Sequence, residues 1–72
     1  MDMKDQIVGR VHRIDQLKAE TEKLWSKVQK SVATRHVDDA ITLLNAYFNM
    51  QEQLSVNEAE LKSMLHSYFS DK

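Results

Sequence analysis

Ala40, Leu43, Tyr47, Met50, Leu54, Asn57, Leu61, Met64 and Tyr68 follow one another at alternating steps of three and four residues. Only an α-helix returns such positions to one face, because a strand would scatter them over two. All but Asn57 are apolar, so the stripe they form has to be covered by another element. The chain offers little that would interrupt it: among 72 residues there is no Pro and a single Gly, Gly9. With helix breakers this scarce, the spacing predicts one helix over about 38–70.

The first half carries a second helical stripe. Ile7, Val11, Ile14, Trp25, Val28 and Val32 fall on a 4-3-4-3 register that also passes through Lys18 and Thr21, and Met3, Leu17 and Leu24 widen it. These positions predict a helix over about 3–33. The stretch Ala33-Thr34-Arg35-His36 breaks the pattern, with Lys27, Lys30 and Arg35 before it and Asp38 and Asp39 after it. Cations favour the negative end of a helix dipole and anions the positive end, so a turn is placed at 34–37, with Thr34 as N-cap of the second helix. The predicted fold is all-α: one domain, an antiparallel helical hairpin of two long helices with coiled-coil-like packing.

A competing signal lies at Ser55-Val56-Asn57-Glu58, which spells a capping box flanked by Leu54 and Ala59 as a hydrophobic staple. A break at 54–57, near Ser55, would give three helices. Laid antiparallel about the turn, seam residues whose numbers sum to roughly 71 face each other, which pairs Trp25 with Tyr47, Thr21 with Met50 and Ile14 with Asn57. Lys18 and Asn57 are the polar residues in the seams. Such residues set register at a cost in stability, although a lysine stem can also cover apolar surface while its ammonium reaches water.

One hairpin leaves apolar surface unused. Val37, Ile41, Leu44 and Phe48 form a further stripe at 4-3-4 spacing, centred roughly 110° from the long seam at 100° per residue. Leu65 and Phe69 extend that side near the C-terminus. These six are the candidate protein-binding residues. The stripe has three uses open to it: core of a three-helix bundle, a self-interface in a homo-oligomer, or a dock for a partner's helix.

The charges point away from other functions. Residues 1–36 hold eight Lys/Arg against five Asp/Glu and residues 37–72 hold two against six, for a net charge of −1. Nucleic acid is not an expected partner: Arg10, Arg13, Lys23, Lys27, Lys30 and Arg35 are interleaved with Asp15, Glu20 and Glu22. No apolar run approaches the roughly 20 residues that cross a bilayer, so no membrane is expected, and the absence of Cys suits a reducing, cytoplasmic setting. His12, His36 and His66 have no partner at metal-ligand spacing, and there is no phosphate loop or activated nucleophile. No cofactor, metal or catalytic residue is assigned.

The expected function is that of a small non-enzymatic adaptor, chaperone or co-chaperone that shields or docks an apolar helix of a larger protein. In size and architecture the chain resembles the small helical-hairpin co-chaperones of type III secretion needle subunits, which implies a secretion-chaperone role. The alternative is a homodimeric helical regulator or inhibitor of phage or plasmid type, acting on a host protein or on nucleic acid through the basic face of the first helix.

Overall fold

The computed structural model describes residues 2–70 and contains two helices, α1 (Met3–Ala33) and α2 (Val37–Ser70), packed as an antiparallel hairpin. The bounds match the predicted 3–33 and 38–70 to within a residue. α2 is helical throughout, so the break considered at 54–57 is absent. The capping box fails because nothing makes the chain leave the helix there. Asn57, instead of starting a new helix, donates from Nδ2 to the Gln53 carbonyl one turn earlier (2.7 Å).

α1 begins on Asp2, whose extended backbone and carboxylate cap the first turn. Its Oδ1 accepts from the Lys4 N–H (3.4 Å), and its carbonyl accepts from Asp5 and Gln6. The other end is closed by a Schellman arrangement: the His36 N–H reaches the Ser31 carbonyl (2.9 Å) and the Arg35 N–H reaches the Val32 carbonyl (3.1 Å). Thr34 therefore caps the C-terminus of α1 and is not the N-cap of α2, and its hydroxyl donates to the Lys30 carbonyl (3.0 Å). Arg35 occupies the left-handed position, with φ 62°. Glycine is the usual residue there because a Cβ crowds the following carbonyl, at a cost of roughly 1–2 kcal/mol. Meanwhile Gly9 sits inside α1, where an added Cβ would meet nothing within 4 Å. The glycine thus stands where alanine would serve better, and an arginine stands where glycine would. The double variant Gly9→Ala/Arg35→Gly is expected to be more stable by about 1–2 kcal/mol, read as a rise of several degrees or more in thermal midpoint.

The core is small. Ile14, Leu17 and Leu54 form its buried centre, with Met50 and Leu61 packed against it, and Val28 and Ala40 are buried near the turn. Leu17 is fully enclosed. Thr21 is buried within the same stripe and satisfies its hydroxyl by donating to the Leu17 carbonyl (2.6 Å). The α2 seam runs as its spacing predicts. Of the expected pairs, Trp25 and Tyr47 meet, with ring centroids 5.2 Å apart and planes tilted by 44°.

α1 is rotated from the expected seam. The inward column beside Ile7, Ile14, Thr21 and Val28 is Arg10, Leu17, Leu24 and Ser31, while Val11, Lys18, Trp25 and Val32 are exposed. The reason is polar. With the expected column inward, the Lys18 ammonium would point at the apolar level of Leu54, where an unpaired charge is costly. In the observed rotation the inward cation is Arg10, and it meets acceptors. One guanidinium nitrogen, Nη1, donates to Asn57 Oδ1 (2.6 Å) and pairs with Glu60 Oε2 (2.9 Å). Asn57 is accordingly held by Arg10, not by the expected neighbour Ile14.

The result is a rod, 55 × 15 × 14 Å, with a radius of gyration of 16.4 Å. A globular domain of this length has about 11 Å.

Candidate functional site

Each helix presents a second apolar column beside its seam. On α1 it is Val11, Trp25 and Val32, spaced in heptads with Lys18. On α2 it is Val37, Ile41, Leu44 and Phe48. Two antiparallel right-handed helices wind in opposite senses when viewed from one end. Columns displaced toward higher residue numbers from their seams therefore lie on the same side of the hairpin. Both apolar columns share one broad face.

That face is most developed at the turn end. An open groove there is lined by Val28, Val32 and Arg35 from α1 and by Val37, Ala40, Ile41 and Leu44 from α2. Its floor is the buried pair Val28 and Ala40, and its walls are left in water: Val32 and Val37 are each 63% exposed and Ile41 is 54% exposed. Phe48, 57% exposed, continues the wall one turn further on, 6.0 Å from the Tyr47 ring. Trp25, which stacks on the other side of Tyr47, is 44% exposed. Three aromatic rings thus run from α1 to α2, farther from the turn than the groove. These large side chains are in contact with one another on the surface and are not scattered singly.

The six residues expected to bind a partner are placed in two groups. Val37, Ile41, Leu44 and Phe48 belong to the turn-end face. Leu65 and Phe69 lie on the same side of α2 but line a separate depression with Lys62, His66 and Ser70. Gln51, Ser55, Glu58 and Lys62 occupy that side between the two groups, so the stripe is not continuous. Val32 and Trp25 were assigned to the seam by their spacing and were missed as surface residues. The signal that could have found them is Lys18: a column holding an unpartnered lysine at mid-helix is the one that turns to water.

Arg10 is the second displacement from expectation. It was counted with the basic face of α1, but its side chain is turned toward α2 and is one-third exposed. Arg35, at the other end, borders the apolar groove. Among the described residues there is no group of three or more His, Asp or Glu side chains placed to hold a metal ion, and no helix is long and apolar enough to cross a membrane.

No family model, curated protein or solved structure matches this chain. Its function has to be read from its own surface.

Proposed function

We propose that the chain is a non-enzymatic protein-interaction module, an adaptor or chaperone of the cytoplasm. Its turn-end groove takes up an apolar helix of a protein partner. The observation that carries this reading is the convergence of Val32, Val37 and Ile41, each more than half exposed, on one groove with a buried apolar floor. A helix laid along it, presenting apolar residues at i, i+3, i+4 and i+7, would complete a bundle in which those walls become core. The groove is formed chiefly by the packing of α1 on α2, with Arg35 of the turn at its border, which favours preorganisation for that role.

A nucleic-acid role through α1 has less support. Arg10 is committed to Asn57 and Glu60, and Asp15, Glu20 and Glu22 lie among the remaining cations.

Trp25 is the sole tryptophan and lies one heptad along α1 from Val32 of the groove, on the path a helix laid along the face would take, so it reports occupation. Titration with an amphipathic leucine-rich helical peptide is expected to shift its emission to the blue and to saturate. Ile41→Asp and Phe48→Asp should each weaken this response at least tenfold while leaving the helical circular dichroism in place. A wild-type chain whose emission ignores the peptide removes the reading.

A further inference from the structure

The hairpin is over-exposed for its mass. A compact folded monomer of 8.4 kDa presents about 4,600 Å² to solvent, whereas this chain presents 5618 Å². The surplus, about 1,000 Å², is close to the roughly 800 Å² that each partner loses in an ordinary stable protein interface. The surplus belongs to the rod as a whole, and the turn-end face contributes to it the exposed side chains of Val32, Val37, Ile41 and Phe48. Given that this face binds protein helices, as proposed above, one further hairpin laid along it would cover them.

The pattern along the face decides how such a hairpin would lie. Two rods can pack face to face about a twofold axis that runs either along the rod or across it. With the axis across the rod, α1 lies on the partner's α1, Lys18, at mid-helix on this face, approaches its own copy, and the turn-end groove covers the partner's open end. With the axis along the rod, α1 lies beside the partner's α2, the two Lys18 side chains no longer face each other, and groove meets groove. Symmetry also makes the contact self-complementary, with Ile41 and Phe48 of each copy set against the Val32 and Trp25 edge of the other.

We infer that the chain self-associates through its turn-end face into a twofold four-helix bundle with both turns at the same end, and that a heterologous helix binds by displacing the second copy. In this bundle Gln29, which borders the face on α1, stands at the same level as Ile41 of the other chain.

The test is solution mass by light scattering at two concentrations tenfold apart, together with cysteine cross-linking. The chain has no native cysteine, so introduced ones report cleanly. The wild type is expected at twice 8.4 kDa, and Ile41→Asp at 8.4 kDa. A mixture of Gln29→Cys and Ile41→Cys chains is expected to form a disulfide-linked dimer at least tenfold faster than either variant alone. If Ile41→Asp unfolds instead of dissociating, the cross-linking decides by itself. A wild-type monomer at both concentrations overturns the inference, as does a dimer that survives both Ile41→Asp and Phe48→Asp, or a mixed pair that cross-links no faster than the single variants. A monomer whose Trp25 still responds to the helical peptide would remove the second copy and leave the interaction module standing. A monomer that is also silent to the peptide would remove both.

Discussion

Leu17→Ala is expected to unfold the hairpin almost completely under conditions where the wild type is helical. Among the described residues Leu17 is the one large side chain fully enclosed, and it lies in a buried cluster with Ile14 and Leu54. Truncating an enclosed leucine costs about 3–5 kcal/mol, the sum of lost burial and of a cavity the neighbours cannot fill. A chain of this size rarely has more than about 3–5 kcal/mol of core stability to lose. The two quantities are equal in size, so helical circular dichroism should fall to a small fraction of the wild-type value, and the thermal transition should lose its cooperativity. Val11→Ala provides the control. Val11 stands in the column that spacing alone assigned to the seam and is 40% exposed, so its truncation should cost no more than about 0.5 kcal/mol. If Val11→Ala proves the more damaging of the two, α1 is rotated the other way and the turn-end face loses Trp25 and Val32.

These two residues also show what was legible in the sequence. In α2 the seam could be read directly, because one stripe of nine positions is apolar with a single exception, whereas the neighbouring stripe of Val37, Ile41, Leu44 and Phe48 is interrupted by Gln51, Ser55, Glu58 and Lys62. The helix ends were legible for a similar reason: the charge reversal around Thr34 and the end of the periodic pattern coincide. In α1 two columns compete. Val11, Lys18, Trp25 and Val32 contain three apolar residues and Arg10, Leu17, Leu24 and Ser31 contain two, so counting apolar positions favours the first. What separates them is the cost of the polar member of each column against the opposite helix. Lys18 would face Leu54, whereas Arg10 faces Asn57 and Glu60. That comparison requires the pairing of the helices to be known first. Pattern along one helix cannot supply it.

The turn and the capping box were opaque for different reasons. Arg35 at a left-handed position carries no sequence signal, since the residue that would have announced it is glycine. Ser55-Val56-Asn57-Glu58 carries a true capping signal that acts only where a helix starts, and with helix formers on both sides it stays silent. The binding face was legible in half. Val37, Ile41, Leu44 and Phe48 stood out as surplus, but the groove they form needs Val32, which the reading of α1 had consumed.

Arg10→Glu is expected to destabilise the hairpin by about 2–3 kcal/mol, more than any other single change to a partly exposed residue. The wild-type guanidinium bridges two groups on α2 through one nitrogen, a hydrogen bond to Asn57 and an ion pair with Glu60. A hydrogen bond to a charged group contributes about 1.5–3 kcal/mol, and the half-exposed ion pair adds about 0.2–1 kcal/mol. The variant loses both and places a carboxylate against the carboxylate of Glu60. Adding Glu60→Arg restores an ion pair of opposite sense but gives Asn57 Oδ1 no equivalent of the original bond, so the double variant should recover only about 1 kcal/mol. Chemical denaturation of the four proteins of this cycle measures the coupling. Full recovery would show that only the charge pair matters and that Asn57 is incidental to the register. Partial recovery assigns the larger share to Arg10 and Asn57, the contact that fixes α1 in the rotation exposing Trp25 and Val32. The surface proposed to bind protein is in this sense set from the opposite end of the rod, by Arg10, whose ion pair with Glu60 joins the two helices.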